Sequence, residues 1–299
     1  MRSPEINFAV PPALPGIGLQ GLRNSRARAI RSWVKTSSAG ERDADNGSGR
    51  DLSIVLVHGG AQGAWVWNET IDALRAQGFR DSVIALDVPG CGTKRGRDTS
   101  GMDVLAVAAE LSEELVGRDM SPSLLVGHSQ GGTLLPWLTA QIPDRVAALC
   151  YVSCAAPLEG QTLREMMGHA SRDLSGDAAV GFPLDPLTHE LDEMFGLMFC
   201  NDMNAKDAER FLARLGQDSW PEATDSSDRH WGREHVASLQ ATYVVALQDE
   251  ALPTRWQERF AERLNCTRLV RIDAGHQLMQ TRPHALAEVL RAEHRKLSR

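Results

Sequence analysis

The segment Ser123-Leu124-Leu125-Val126-Gly127-His128-Ser129-Gln130-Gly131-Gly132 decides the fold of this chain. A run of apolar, strand-like residues meets a glycine, then a serine between polar neighbours, then two more glycines. A helix-length segment from Thr133 to Ile142 follows. Gly127-His128-Ser129-Gln130-Gly131 fits G-x-S-x-G, the nucleophile elbow, in which a tight strand-to-helix turn lifts a serine hydroxyl above a sheet. The turn holds its serine in a sparsely populated backbone conformation, and side chains at the glycine positions would collide with the strand and helix around it. Five letters alone recur by chance in loops; the strand before and the helix after are what give them meaning.

Working outward, the pattern from Leu52 onward alternates strand and helix. Ser53 to Val57 is a short, continuously apolar strand, as a parallel sheet covered on both faces requires. Helical spacing predicts helices over Ala64 to Gln77 and Val104 to Val116, and strands over Ser82 to Asp87 and Val146 to Ser153. Later come a strand at Ala241 to Leu247, a helix at Thr254 to Leu264, a strand at Thr267 to Ile272 and a closing helix from Pro283 to Lys296. Six strands alternating with helices predict an α/β fold with a mostly parallel, doubly wound sheet and right-handed crossovers. Pro136 lies near the start of the helix after the elbow, where it is tolerated but bends the chain.

Two segments depart from this rhythm. Residues 1–50 carry Pro4, Pro11, Pro12 and Pro15, then Arg23, Arg26, Arg28 and Arg31, then a Ser-, Gly- and Asp-rich run from Ser37 to Arg50. This composition predicts a poorly ordered extension and linker. With Glu5 as the one acid in its first 36 residues it faintly resembles an amphipathic targeting segment, but it has no apolar core of a secretory signal. The second departure is 158–235, too long for a simple connection. It predicts a helical lid between the two halves of the core, 51–157 and 236–299, placed over the sheet edge where ligands bind in open α/β folds. Met194, Phe195, Met198 and Phe199 in the lid, and Trp137 on the helix after the elbow, are candidates to line a pocket, although most lid residues of this kind pack the lid on the core.

Composition narrows the function. The 299 residues are 42% hydrophobic and 24% charged with a net charge of -7, which argues against general affinity for nucleic acid. No stretch reaches the roughly 18 consecutive apolar residues of a membrane span. Cys91, Cys150, Cys154, Cys200 and Cys266 are scattered, odd in number and without C-x-x-C spacing, which predicts reduced thiols in a cytoplasmic protein. No clustered ligand spacing points to a metal, and no cofactor is implied.

A serine hydroxyl is a weak nucleophile and needs a base in reach, with a third group orienting that base. On such a sheet the chain order is Ser, then Asp or Glu, then His. Asp249 follows the strand Ala241 to Leu247, and His276 follows the strand Thr267 to Ile272. Both loops open on the edge that carries Ser129. Glu250 and Asp273 are the competing acids, and His58 and His128 the other histidines at strand ends. An oxyanion hole needs two backbone N–H groups. Gln130, after the serine, supplies one, and Gly60 in the loop His58-Gly59-Gly60-Ala61 supplies the other, with Ala61 as the alternative. His58, Gly59 and Ala61 complete the candidate pocket.

These motifs together resemble the α/β-hydrolase superfamily, and within it the branch of small plant and bacterial esterases related to hydroxynitrile lyases. The resemblance is carried by Val55-Leu56-Val57-His58-Gly59-Gly60, Gly63-Ala64-Trp65-Val66-Trp67, Ala85-Leu86-Asp87-Val88-Pro89-Gly90-Cys91-Gly92, the elbow, Asp249 with Pro253, and Gly275-His276. Phe199-Cys200-Asn201-Asp202 with Asp207-Ala208 is a weaker echo in the lid. The likeness covers 52–297. In that family cyanohydrin cleavage goes with a threonine after the loop histidine and a lysine after the catalytic histidine; here those positions are Gly59 and Gln277. Dehalogenases of the fold use an aspartate where this chain has Ser129. The resemblance therefore implies hydrolysis of a small, largely apolar carboxylic ester by Ser129, His276 and Asp249. The alternatives are another hydrolysis (lactone, thioester, amide or C–C bond), a lyase reaction, or ligand binding without catalysis. Monomer and homodimer remain equally open.

Overall fold

The computed structural model describes residues 52–173, 175–221, 236 and 238–298. The expected N-terminal extension and the last part of the expected lid therefore lie outside the described residues.

Six strands form one parallel sheet: β1 (Ser53–Val57), β2 (Val83–Leu86), β3 (Ser123–His128), β4 (Val146–Val152), β5 (Gln240–Ala246) and β6 (Arg268–Ile272). Their spatial order is β2-β1-β3-β4-β5-β6, every neighbouring pair parallel. Side chains alternate across the sheet, and the two faces form two apolar clusters. Val55, Val57, Leu125, Leu149, Tyr151, Tyr243 and Val245 point into one, while Ile54, Leu56, Leu124, Val126, Cys150 and Val244 point into the other. That double burial explains why the strands read as continuous apolar runs rather than alternating ones.

The helices fill the two faces. On the first lie α2 (Val104–Gly117), capped by the Asp103 side chain accepting from Ala106 N at 2.8 Å, and α3 (Leu135–Gln141). The first face also takes α7 (Thr254–Arg263), through Trp256 and Phe260. On the second lie α1 (Asn68–Ala76), the short α8 (Leu278–Thr281) and α9 (Pro283–Leu297), through Leu74, Leu278, Leu286 and Leu290. Between β4 and β5 the described chain carries α4 (Leu163–Met167), α5 (Leu191–Cys200) and α6 (Ala205–Leu212). No helix of the described residues is long and apolar enough to cross a membrane.

Two expected helices begin differently. Residues Ala64–Trp67 and Ser129–Leu134 are 3-10 turns, and α-helix begins only after them. Pro136 thus falls in the first turn of α3, where a missing N–H costs nothing, rather than inside a longer helix that it would bend.

Leu56 is fully buried in β1, flanked by β2 and β3. Leu56→Ala should cost about 2–5 kcal/mol in urea unfolding, with an unchanged m-value.

Candidate active site

The register of the sheet brings the ends of its central strands to one level. Val57 pairs with Gly127, Gly127 with Tyr151, and Val152 with Val244. The loops that follow β1, β3, β4, β5 and β6 therefore leave one edge together, as expected for a site at strand C-termini.

Ser129 turns the chain with a φ of 50°, the left-handed region that costs a side-chain-bearing residue about 1 kcal/mol or more. The turn is possible because Gly127, Gly131 and Gly132 around it have no side chains. A Cβ on Gly131 would lie 2.2 Å from the His58 carbonyl oxygen, and one on Gly132 2.4 Å from Cys154 Sγ. Ala61 and Ser153 also have positive φ, 56° and 43°, so three strained residues follow three adjacent strands.

His276 and Asp249 are joined. His276 Nδ1 lies 2.7 Å from Asp249 Oδ2, and both side chains are almost fully buried. Pairing between β5 and β6 continues beyond the strands, Leu247 N to Ile272 O and Gln248 N to Ala274 O at 2.9 Å each, and this carries the two loops into contact. Asp249 Oδ1 accepts from Ala251 N and Leu252 N at 2.8 Å each. The competing acids are engaged elsewhere: Glu250 binds Arg172 at 2.7 Å, and Asp273 accepts from Gln248 Nε2 at 2.6 Å. No hydrogen bond joins His276 to the Ser129 hydroxyl among the described residues; contact with the elbow runs through His128, whose Nε2 donates to the His276 carbonyl at 3.0 Å.

Gly60 and Gln130 adjoin, since a Cβ on Gly60 would lie 2.2 Å from Gln130 Oε1. Gly59 packs on the elbow, its Cβ position 3.1 Å from Ser129 Cβ. His58, expected at the pocket, turns its ring inward instead. Its Nδ1 donates to Gly59 O at 2.8 Å and its Nε2 accepts from Val88 N at 3.1 Å, so both nitrogens brace backbone. Asp87 braces the same loop, accepting from Ala64 N at 2.7 Å and Thr93 N at 2.9 Å. Burial raises the Asp87 carboxyl, but these bonds outweigh it and hold its pKa below the ordinary value.

Of the expected pocket residues in α5, Phe199 lies beside His276, ring centroids 5.5 Å apart. Phe195 packs against Phe199 with its ring tilted by 43°, centroids 5.8 Å apart. Met194 and Met198 are buried with Phe182 and Ala251 in a small apolar cluster against which Phe195 and Phe199 also pack. Trp137 packs against the first-face core. Ala61, in its strained turn, accepts from Gly216 N at 3.2 Å.

Two residues that motif reading did not single out touch Asp249. Ser153 Oγ donates to Oδ2 and lies 3.4 Å from His276 Nδ1. Gln257 Nε2 lies 3.5 Å from the same oxygen and donates to Ala246 O and Leu252 O. The available signals were the position of Ser153 at the end of the strand beside β5, and a glutamine on the buried stripe of α7 beside Trp256 and Phe260. Among the described residues no group of three or more His, Cys, Asp or Glu side chains could hold a metal ion.

Comparison with known proteins fits this geometry. The profile of the alpha/beta hydrolase family matches residues 54–289, and the chain belongs to that family. Putative methylesterase 11, chloroplastic, from Arabidopsis thaliana is 28% identical over 256 residues, covering 79% of this chain and 62% of the relative. Polyneuridine aldehyde esterase from Rauvolfia serpentina is 23% identical over 254 residues, covering 79% of this chain and 93% of that protein. Among solved structures, an extracellular alpha/beta-hydrolase from a Paenibacillus species superposes with a TM-score of 0.64 at 21% identity, over 80% of this chain and 97% of its own. The chain spans only 62% and 55% of the lengths of putative methylesterases 11 and 13.

His128 is fully buried, and burial together with the neighbouring His276 holds its pKa well below the ordinary value. The unfolded chain protonates this ring near pH 6.5 while the folded chain does not, so its contribution to stability is complete above that pH and is lost on acidification. Between pH 7 and 5.5 this one proton removes on the order of 1 kcal/mol. Urea titrations of His128→Gln should show a pH-dependent loss smaller by that amount than in the unsubstituted protein.

Proposed function

We propose that the protein is a serine esterase acting on a small, largely apolar carboxylic ester. The observation that carries this reading is the buried His276–Asp249 pair, 2.7 Å apart, on the sheet edge where Ser129 occupies its strained turn. Relatives named methylesterase and esterase support the same reaction class.

In this mechanism Ser129 Oγ attacks the ester carbonyl while His276 Nε2 takes its proton. Asp249 holds Nδ1–H, fixing the tautomer that leaves Nε2 free to accept, and stabilises the imidazolium as it forms. The N–H groups of Gly60 and Gln130 receive the charge that develops on the carbonyl oxygen, a contribution that in such sites is worth about 100- to 1000-fold in rate per donor. His276 returns the proton to the departing alcohol, and water, activated by the same imidazole, then releases the acid. The segment between β4 and β5 acts as the lid, with Phe199 forming the wall beside His276. Gly59 and Gln277 stand where the lyases of the resembling branch carry threonine and lysine, which favours ester hydrolysis over cyanohydrin cleavage.

Purified protein should hydrolyse p-nitrophenyl acetate or butyrate and react with a fluorophosphonate probe. Ser129→Ala and His276→Ala should each lower kcat by about four orders of magnitude or more, and Ser129→Ala should abolish labelling. Cyanide release from mandelonitrile without esterase activity, or a wild-type protein that takes no label, would overturn the reading.

A further inference from the structure

Ser153 is the residue immediately beyond β4, and nothing in the mechanism above uses it. Its side chain is fully buried, its φ is 43°, and its backbone N–H donates to Val244 O at 2.9 Å. A left-handed serine costs about 1 kcal/mol that a glycine would avoid. What the serine provides in return is a hydroxyl directed at the Asp249 carboxylate.

Asp249 divides its two oxygens between different tasks. Oδ1 is taken by the two backbone donors of its own turn, Ala251 N and Leu252 N, which fix the carboxylate to its loop. Oδ2 faces His276 Nδ1, and Ser153 Oγ donates to that same oxygen from the neighbouring strand end. The hydroxyl oxygen is itself 3.4 Å from His276 Nδ1. Serine, aspartate and histidine thus form a closed triangle contributed by the ends of β4, β5 and β6. Gln257 Nε2, at 3.5 Å from Oδ2, is the weaker neighbour on the far side.

We propose that Ser153 is a positioning residue for the reaction: its hydroxyl holds Asp249 Oδ2 in line with His276 Nδ1 and draws off part of that oxygen's negative charge. This rests on the hydrolase reading above. Two consequences follow from the hydrogen bond. Without the hydroxyl Oδ2 loses one of the contacts that set its direction, while Oδ1 stays held by Ala251 N and Leu252 N, so the imidazole that Oδ2 orients is held less firmly. With one donor fewer, Oδ2 presents more negative charge to the ring, which favours the imidazolium, so His276 should titrate at a higher pH. A serine that merely filled space would have neither effect. The other titratable groups facing the pair are His128 on β3, kept neutral by burial, Tyr243, kept protonated by burial, and Asp202, which lies against Gly275.

The test uses the full chain with Ser153→Gly and Ser153→Ala. Glycine accepts the positive φ, so Ser153→Gly removes the hydroxyl while relieving the strained turn, and it remains foldable if Ser153→Ala does not. Two readouts are taken: the pH profile of kcat/KM on p-nitrophenyl acetate, and the titration of His276 followed by NMR of ring-labelled histidine, assigned by the signal missing from His276→Ala. We expect kcat to fall about tenfold, the scale of one lost hydrogen bond to a charged group. The acid limb of kcat/KM and the His276 titration should both move to higher pH by about half a unit or more. Unchanged kcat and an unchanged His276 midpoint in Ser153→Gly would overturn the proposal. If the wild-type protein turns over no ester but the His276 titration still shifts, the hydrolase reading fails and the positioning by Ser153 stands.

Discussion

The crowding beneath Ser129 governs the rest of the molecule. Strand β3 must stop, reverse its direction and enter a helical turn within a few residues, and it does so while pressed between β1 and β4. The spaces there leave no room for a side chain. A Cβ on Gly127 would sit 2.8 Å from Gly132 Cα, and one on Gly131 would sit inside the carbonyl of His58. Three glycines therefore let two strand ends and a helix start approach to backbone contact. The closeness itself brings the Gly59-Gly60 loop against the elbow. Two features that a sequence scan treats separately, the elbow and the glycine pair after β1, are thus one packing arrangement.

Around this arrangement the buried polar groups divide the work of support. His58 and His128 have strand-end positions similar to that of His276, yet they are committed to backbone: His58 to Gly59 and Val88, His128 to the carbonyl of His276. Burial favours the neutral ring at both sites, and a neutral ring has one donor and one acceptor to distribute. His58 uses both, which fixes its tautomer and the path of the loop after β1. His128 donates through Nε2 and leaves Nδ1 facing the Cα of Gly59, 3.0 Å from where a Cβ would be. Among these three rings it is therefore His276 that bears a carboxylate partner.

Much of this was legible in the sequence because the signals were local. Continuous apolar runs marked the strands, glycine spacing marked the elbow, and chain order placed Asp249 and His276 on loops of one edge. What sequence could not supply was depth and direction. His58 looked like a pocket residue because it begins the loop that approaches the elbow, but its ring turns under that loop. Met194 and Met198 share a helix with Phe199 and all three meet the cluster around Phe182, but the Phe199 ring also reaches His276, a direction that residue spacing alone does not give. Ser153 and Gln257 meet Asp249 from elements 96 and 8 residues away in the chain. The first follows from sheet register and the second from the rotation of α7, neither of which a motif encodes. The 3-10 turns before α1 and α3 were missed because hydrophobic spacing does not distinguish a tight helical turn from an α-helical one.

The segment between β4 and β5 ties the loops of the site together from outside. Gly216 N donates to Ala61 O after β1, and Ser219 N donates to Gly90 O after β2. Asp218, almost fully buried, accepts from Gly92 N at 2.9 Å and pairs with Arg95 at 2.8 Å. Asn201 Nδ2 donates to Gln248 O at 2.6 Å beside Asp249, and Asn201 and Asp202 together occupy the space that a side chain at Gly275 would need. One continuous stretch thus reaches the loops after β1, β2, β5 and β6. The strained turns at Ala61 and Ser129 and the buried charge of Asp249 persist only where surrounding structure over-determines them. A segment that grips four of these loops supplies that restraint, so it belongs to the architecture of the candidate site.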